Sequence, residues 1–348
     1  MKTSWSAALR RCATQNQNPS AACQDVGTPR QEFALCLPTA MVELSEDDVR
    51  RGLDPTRLIS VIEAAFRDRY PHVSIPVRTH IELTDGIFLI MPCYDRAGHA
   101  LGMKLVVVQA NPIKPEGRIQ ATYMLLDPAT GRPRLLMSAK YLTDLRTAAT
   151  SAVATGFLAR EDARVLGVFG TGRQARAHLK VLPLVRRFEQ VLVCGKDSGE
   201  TREFAQEISS ELRLPIDSTD ARTCAAESDV ICTCTTSQTP LFDGNLLHPG
   251  THLNLVGAFQ PHAREVDSTT IQRARVVVDT YDGALAEAGD LLIPMQDGLI
   301  GRDHIVCDLH ELVSSKKAGR TNPADITLFK SVGCALEDLV AAEMLAAS

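Results

Sequence analysis

The stretch that decides the fold is Val165-Leu166-Gly167-Val168-Phe169-Gly170-Thr171-Gly172-Arg173-Gln174-Ala175. It predicts a short apolar strand that runs through the pattern G-x-G-x-x-A into the start of a helix. In this pattern Gly170 allows a tight turn, Gly172 removes the side chain where a pyrophosphate must approach, and Ala175 keeps helix and strand close. The first turn of the helix then offers unpaired N–H groups to an anion. The stretch therefore predicts a dinucleotide-binding βαβ unit.

Outward from this stretch, apolar runs alternate with helical segments. A helix predicted at 173–187 is followed by a strand at 190–195 and a helix at 200–212. Such alternation is typical of βαβ units around a parallel sheet. Further elements are expected as strands at 229–235, 252–257 and 275–279 and a closing helix at 328–347.

The region before residue 140 carries a different pattern. Four apolar runs are separated by turn residues such as Asp85-Gly86, and they predict an antiparallel-rich sheet. These runs lie at 74–83, 87–92, 102–109 and 120–126. Ser45, with Asp48 three residues later, predicts a near capping box, and Thr143 is the expected N-cap of a helix over 142–159. The predicted fold class is α/β, a Rossmann dinucleotide-binding domain with a second, α+β domain.

The end of the second strand of the βαβ unit bears on the choice of dinucleotide. In such units an acid stands there, about 20 residues past the glycines, and binds the ribose hydroxyls. Here Gly195 occupies the usual acidic place, and Lys196 could pair with a 2′-phosphate as a point charge. This favours NADPH, with NADH possible. Alternatively, Lys196 is a solvated loop residue and Asp197 binds the ribose.

Composition excludes several classes of protein. The 348 residues correspond to about two domains. A net charge of -5 gives no general attraction to nucleic acid or to an anionic membrane, and 45% apolar with 23% charged residues is ordinary for a globular chain. No run of 18 apolar residues occurs, so no membrane-spanning helix is predicted. The expected partner is a small molecule, with neither nucleic acid nor a membrane.

The ten cysteines and nine histidines predict no metal site. There is no C-x-x-C or H-E-x-x-H spacing, and Cys232 and Cys234 fall in an apolar run as small buried side chains. The irregular cysteine spacing fits a reducing compartment, so a cytoplasmic location is expected. Residues 1–40 are expected to be a disordered extension, whose Arg-bearing and acid-poor start leaves a mitochondrial presequence as the alternative.

Three cationic residues stand beside apolar sequence. Lys104 interrupts the run Leu101–Val108, and a lysine in a pocket can serve as a proton source or a charge anchor. It could equally lie on an edge strand, where lysine discourages edge pairing. Arg78 and Arg146 carry guanidinium groups suited to bidentate recognition of a carboxylate, although a salt-bridged surface arginine is the more usual arrangement.

Four segments together resemble the ornithine cyclodeaminase/mu-crystallin family. The resemblance runs from about residue 41 to the C-terminus, and the joint occurrence of the segments is far more specific than a glycine motif alone. The segments are Leu142-Thr143-Asp144-Leu145-Arg146-Thr147-Ala148-Ala149, Gly167 to Ala175, Val256-Gly257-Ala258, and Thr327-Leu328-Phe329-Lys330-Ser331-Val332-Gly333.

The resemblance implies a homodimer with its active site between two domains. A discontinuous substrate and dimerisation domain would comprise residues 41–140 with 312–348, and the Rossmann domain residues 141–311. Lys104 is similar to the active-site lysine of the family, and Arg78 with Arg146 is similar to its clamp for the substrate carboxylate. The residues expected to bind the dinucleotide are Thr147, Gly170, Gly172, Arg173, Gln174, Ala175, Lys196, Asp197, Thr235, Val256, Gly257, Ala258 and Gly333.

Two departures from the family pattern narrow the expected reaction. Ornithine-cyclising members carry an aspartate where this chain has Ala258 and a glutamate where it has Leu89. A diamine therefore loses both anchors, and the chain looks more like the ketimine reductase branch. The expected reaction is NADPH-dependent reduction of Δ1-pyrroline-2-carboxylate or Δ1-piperideine-2-carboxylate to L-proline or L-pipecolate. The alternatives are ornithine cyclodeamination with bound NAD and a non-catalytic, crystallin-like protein that binds NADPH and a small ligand.

Overall fold

The first half of the chain forms a seven-stranded sheet with two helices. The computed structural model describes residues 41–110 and 117–347, so the extension expected at 1–40 lies outside the described residues. The elements are β1 (Val42–Leu44), α1 (Glu46–Gly52), α2 (Pro55–Ala64), β2 (Val73–Ser74), β3 (Thr79–Leu83), β4 (Gly86–Asp95), β5 (Ala100–Gln109), β6 (Ile119–Leu126) and β7 (Pro133–Ser138). The strand order is β1-β7-β6-β5-β4-β2, and β3 also pairs with β4. Within this sheet only the pair of β1 and β7 is parallel.

One face of this first sheet is buried and the other is partly open. Exposure alternates along β4, β5 and β6 as expected for strands with a single covered face. The buried side chains pack against two later helices, α3 (Lys140–Leu158) and α11 (Ala335–Ala346), and both of these helices also contact α2. Ser45 caps α1 in a capping box with Asp48, as predicted.

The N-cap expected at Thr143 is wrong. Helix α3 begins at Lys140, after Ala139, and the Thr143 hydroxyl donates to the Ala139 carbonyl at 2.7 Å. A threonine inside a helix satisfies its hydroxyl in this way by bonding back to the turn before it. The helix therefore begins one turn earlier than the threonine suggested.

The second half of the chain forms an eight-stranded sheet in which every pair is parallel. Its strand order is β10-β9-β8-β11-β12-β15-β13-β14. The elements are β8 (Val165–Phe169), α4 (Arg173–Val181), β9 (Gln190–Cys194), α5 (Ser198–Leu212), β10 (Ile216–Ser218), α6 (Ala221–Glu227), β11 (Val230–Thr233), β12 (His252–Leu255), α7 (Ser268–Arg273), β13 (Ala274–Val278), α8 (Tyr281–Glu287), α9 (Gly289–Gln296), β14 (Ile305–Asp308), α10 (Leu309–Val313), β15 (Ile326–Lys330) and α11 (Ala335–Ala346). This architecture confirms the α/β fold class.

The end of the chain departs from the predicted pattern. The closing helix expected at 328–347 is instead strand β15 followed by α11. Strand β15 lies between β12 and β13 in the parallel sheet, although residues 312–348 were expected to belong with the first domain. A fully buried parallel strand has no alternation, so its apolar run cannot be distinguished from a buried helix by periodicity. The two sheets are parts of one compact unit, Ala40–Ser348.

Strand order determines where a ligand can bind. In doubly wound sheets the crevice lies beyond the carboxyl ends of the strands, where the order reverses. Here the reversal falls between β8 and β11, because the chain goes outward from β8 to β10 and then returns to the other side of β8. No helix among residues 41–110 and 117–347 is long and apolar enough to cross a bilayer.

Candidate functional site

A cavity of about 350 Å³ lies beyond the carboxyl ends of the parallel strands. Its lining includes the segments that follow β8, β11, β12 and β15, together with inward-facing residues of β4, β5 and β6 from the first sheet. The cavity therefore lies between the two sheets, at the switch point that the strand order predicts.

The glycine turn after β8 has the geometry of an anion site. Gly170 has a φ of 112°, and a Cβ there would lie 2.6 Å from the carbonyl oxygen of Cys234. A Cβ on Gly172 would meet no atom within 4 Å and would project into space next to the cavity. No side chain caps the N-terminus of α4, so its first N–H groups retain the capacity to bind a phosphate.

Most of the residues expected to bind the dinucleotide line this cavity. They are Thr147, Gly172, Arg173, Gln174, Thr235, Val256, Gly257 and Gly333. Gly170, Ala175 and Ala258 do not line it; Gly170 forms the turn, and Ala175 and Ala258 are buried. The backbone of Gly333 favours glycine, because its φ is 93°, and a Cβ at this position would lie 2.9 Å from the Arg146 guanidinium.

The end of β9 leaves no room for the usual ribose-binding acid. Any Cβ on Gly195 would collide with the Thr201 side chain and lie 2.9 Å from Thr171 Cγ2. The Asp197 carboxylate accepts hydrogen bonds from the backbone N–H groups of Gly199 and Glu200, at 2.8 and 2.9 Å, and so caps α5. Lys196 is exposed beside it. The alternative in which Asp197 binds the ribose therefore competes with its role as a helix cap.

Lys104 lies on a central strand and not at an edge. Strand β5 is flanked by β4 and β6, so the edge-strand alternative is wrong. The Lys104 Nζ is 2.9 Å and 2.8 Å from the two carboxylate oxygens of Asp338, and 1% of the residue is exposed. Burial and, to a smaller extent, the charge of Arg146 lower the pKa of Lys104 to about 8, although Asp338 opposes both.

Arg146 lies beside Lys104 on the buried face of α3. It donates from Nη1 to Glu337, and its Nε is 3.1 Å from Asp338. Burial by itself would lower the pKa of Arg146, but Asp338 and Glu337 outweigh it and raise the pKa, so the guanidinium stays charged. Burial in turn raises the pKa of Glu337 to about 7, against the lowering effect of Arg146.

Arg78 joins the two halves of the site from the loop before β3. Its Nε is 2.8 and 2.7 Å from the Glu287 carboxylate oxygens at the end of α8, and its Nη2 also donates to the Val332 carbonyl at 2.6 Å. His80 Nε2 is 3.0 Å from the same Glu287 carboxylate. Among the described residues, Arg78 Nη1 and Arg146 Nη2 have no hydrogen bond, so each guanidinium keeps one terminal nitrogen for a ligand.

Beside these three cations lies an apolar wall, formed by side chains of the first sheet and three loop residues of the second. Leu89 and Met91 of β4 line the cavity beside the buried side of β5. The remaining apolar lining residues are Val106, Val108, Ile119, Ala121, Val256, Val332 and Phe259. Leu89 and Ala258 provide no carboxylate at the two positions where one was expected in ornithine-cyclising relatives. The wall suits an uncharged, apolar part of a ligand.

Three carboxylates of the site were missed from the sequence. Glu337 and Asp338 are each 0% exposed, and their signal was the presence of two acids within an otherwise apolar terminal helix. Charged residues are almost never fully buried unless they are paired. Glu287 carried no such signal, because its partner Arg78 is 209 positions away in sequence. Each of these acids contacts at least one of the cations, and Asp338 contacts two, so none of them is available for a distal ammonium.

Cys232 and Cys234 lie beside a histidine in the structure. The sulfur atoms of Cys232 and Cys234 are 3.5 Å apart, and Cys234 Sγ is 3.7 Å from His178 Nδ1. Such a group has the spacing of metal ligands. However, His178 Nδ1 is 2.8 Å from the Gln174 carbonyl oxygen, so this nitrogen carries its hydrogen and has no lone pair toward the sulfurs.

Comparisons of the sequence and of the structure with known proteins identify the same family. The sequence model of the ornithine cyclodeaminase/mu-crystallin family matches residues 39–348. The chain is 40% identical over 311 residues to the Delta(1)-pyrroline-2-carboxylate reductase of Colwellia psychrerythraea, covering 86% of this chain and 96% of that protein. It is 34% identical to the ketimine reductase mu-crystallin of Rattus norvegicus, covering 87% and 95%. The solved Thermococcus litoralis Delta(1)-pyrroline-2-carboxylate reductase, in complex with NADH and L-proline, superposes with a TM-score of 0.84 at 37% identity, over 88% of this chain and 97% of that one.

Proposed function

The chain belongs to the ornithine cyclodeaminase/mu-crystallin family, and from this we propose that it is an NAD(P)H-dependent imine reductase. Its substrate is a cyclic ketimine carboxylate, Δ1-pyrroline-2-carboxylate or Δ1-piperideine-2-carboxylate, and its product is L-proline or L-pipecolate. One observation carries the proposal. Arg78, Lys104 and Arg146 line one apolar-walled cavity that also borders the glycine turn after β8.

The residues of the cavity divide into a carboxylate clamp and a proton donor. The terminal nitrogens of Arg78 and Arg146 bind the carboxylate of the substrate, because guanidinium groups recognise carboxylates with directed, charge-assisted hydrogen bonds. Holding the carboxylate fixes the position of the imine relative to Lys104. The Lys104 ammonium then gives a proton to the imine nitrogen, which becomes the ring amine. The apolar wall accommodates the methylene groups of the ring.

The glycine turn and the strand ends fit a nicotinamide dinucleotide. The uncapped N-terminus of α4 and the side-chain-free Gly172 would hold the pyrophosphate, and Thr235, Val256 and Gly257 would line the rest of the site. When bound, the reduced dinucleotide supplies the hydride that the imine carbon accepts. The fit supports a site for this cofactor in the cavity that the three cations also line.

Consumption of reduced dinucleotide by the purified protein tests the proposed reaction. With NADPH and either cyclic ketimine acid, the nicotinamide absorbance band should decay and L-proline or L-pipecolate should accumulate. L-ornithine supplied with NAD should yield no proline, since Leu89 and Ala258 provide no carboxylate for its distal ammonium and Asp144, which also lines the cavity, is paired with Arg173. Proline and ammonia formed from ornithine without net change of cofactor would establish the cyclodeaminase alternative. Dinucleotide binding without turnover of any imine acid would establish the non-catalytic one.

Preference for NADPH rests on the residues after β9. Replacement of exposed Lys196 with serine is expected to lower the ratio of kcat/KM with NADPH to kcat/KM with NADH by about tenfold, since one charged hydrogen bond to the 2′-phosphate is lost. Steady-state kinetics with both dinucleotides measure the ratio. Arg187→Ser, which removes an exposed charge after α4, is the matched control and should leave the ratio unchanged. An unchanged ratio in Lys196→Ser would contradict the assignment.

A homodimer is the assembly that the open face of the first sheet favours. Most of the half-buried side chains on this face are apolar. They include Phe88, Ile90, Leu101, Met103, Leu105, Val107, Met124, Leu126 and Leu136. Ile81 and Leu83 of β3 are also exposed. A large apolar patch of this kind is typical of a protein interface. We accordingly assign residues 41–140 to the substrate and dimerisation domain, and of the expected segment 312–348 we add the terminal helix α11, which packs on the first sheet, and not strand β15. The cytoplasmic location stays a prediction.

A further inference from the structure

Helix α11 places one carboxylate between the two most buried cations of the site. Asp338 is fully buried, with its oxygens 2.9 and 2.8 Å from Lys104 Nζ and one of them 3.1 Å from Arg146 Nε. Its neighbour Glu337 is equally buried and accepts a hydrogen bond from Arg146, and in the described part of the chain it forms neither a hydrogen bond nor an ion pair with Lys104. The two adjacent acids therefore contact different parts of the cationic group.

A carboxylate in this position controls both the direction and the charge of the lysine. The Lys104 side chain is unbranched and flexible, and Asp338 is its only hydrogen-bond acceptor among the described residues. The other charged or titratable groups near this pair come from each packed element: Arg146 on α3, Arg78 before β3, Glu337 and Glu343 on α11, Tyr123 on β6 and Cys93 on β4. Of these groups, Arg146 and Arg78 act directly on Lys104, and because both are cations they disfavour its ammonium form.

We propose that Asp338 is the positioning residue that directs the Lys104 ammonium into the cavity and keeps it protonated for the transfer to the imine nitrogen. This inference rests on the proposed function. Asp338 acts through Lys104 and does not itself contact the substrate. The proton that Lys104 donates forms the N–H bond of the product, and Lys104 is left as a neutral amine until it is protonated again.

The pH profile of Asp338→Asn tests this role. A protonated Lys104 is the active form, so kcat/KM of the wild-type enzyme should fall as the pH rises through about 8. Without the carboxylate, burial and the charge of Arg146 are no longer opposed, and the falling limb should move to lower pH by about one unit or more. The same ketimine acid is used for both proteins, so the titration of the substrate itself cancels in the comparison.

Glu337→Gln is the matched control on the same helix. It removes the neighbouring acid, which contacts Arg146, so KM for the ketimine acid should change while the falling limb stays in place. A limb that moves equally in both variants, or in neither, would overturn the proposal, since a merely structural effect does not discriminate between the two acids.

Two further measurements keep the test decisive. If Asp338→Asn does not fold, Lys104→Met and Lys104→Met/Asp338→Asn are compared; in the double variant the buried pair is neutral, and kcat should equal that of Lys104→Met. A further loss of kcat in the double variant would overturn the proposal.

Competitive acetylation of the dinucleotide-bound protein with acetic anhydride, read by peptide mass spectrometry, follows the protonation of Lys104 without turnover. If the pKa of Lys104 measured in this way is the same in Asp338→Asn as in the wild-type protein, the inference is overturned, even if no imine acid is reduced. Absence of turnover by itself counts against the proposed function only.

Discussion

Lys104→Met is expected to lower kcat for the ketimine acid by about 10²- to 10⁴-fold, the usual contribution of a positioned general acid. Methionine has nearly the length of lysine and no charge, so it can occupy the same space between β4 and β6. Asp338 keeps the Arg146 guanidinium as a partner, and no buried carboxylate is left without a counter-charge. The fold should therefore be retained, and dinucleotide affinity should change little. Single-turnover kinetics and isothermal titration calorimetry measure the two effects separately.

Lys180→Met is the matched control for this variant. Lys180 is partly exposed on α4 and forms an ion pair with Glu211, which also pairs with Arg176. Its replacement removes the same charge at a site outside the cavity and should leave kcat unchanged. If Lys104→Met retained wild-type turnover with a folded structure, Lys104 would not be the proton donor.

Glu265→Leu is expected to lower the free energy of unfolding by about 3–5 kcal/mol, as for a buried charge whose partners are left behind. The Glu265 carboxylate is fully buried and accepts hydrogen bonds from the last residue of β11 and from the loops after β11 and β12. Its donors are Thr233 Oγ1, Thr235 N, Thr235 Oγ1, Gly257 N and Ala258 N, at 2.7, 2.7, 2.7, 2.7 and 3.3 Å. Leucine satisfies none of them, and each buried donor without an acceptor costs about 1–3 kcal/mol.

Because the loops that Glu265 joins border the dinucleotide site, Glu265→Leu should also weaken dinucleotide binding. Urea unfolding gives the stability change and calorimetry gives the affinity. Glu265→Gln keeps the shape and one acceptor oxygen, so its loss should be smaller, while Glu203→Leu on the exposed side of α5 should cost little. Wild-type stability in Glu265→Leu would show that the two loops hold their arrangement without this carboxylate.

Local sequence was sufficient for the elements that local chemistry controls. The glycine turn at 170–172, the capping box at Ser45 and Asp48 and the order of strands and helices through 165–212 are all present in the structure. Prediction was poorest where burial is complete, because a run such as Ile326–Lys330 is apolar on every side and has no period. That strand was therefore merged with the helix after it.

The sequence by itself determined the dinucleotide-binding unit and the identity of the three cations, because turn geometry and a charge within an apolar run depend on residue type and near neighbours. Only the tertiary structure decided which acids those cations meet. Lys104 and Asp338 are 234 positions apart, and Arg78 and Glu287 are 209 apart, so no local pattern links them. Their pairing follows from the packing of α11 against the first sheet and of α8 beside the loop before β3. Burial then makes such pairing obligatory, since an unpaired charge removed from water is too costly to keep.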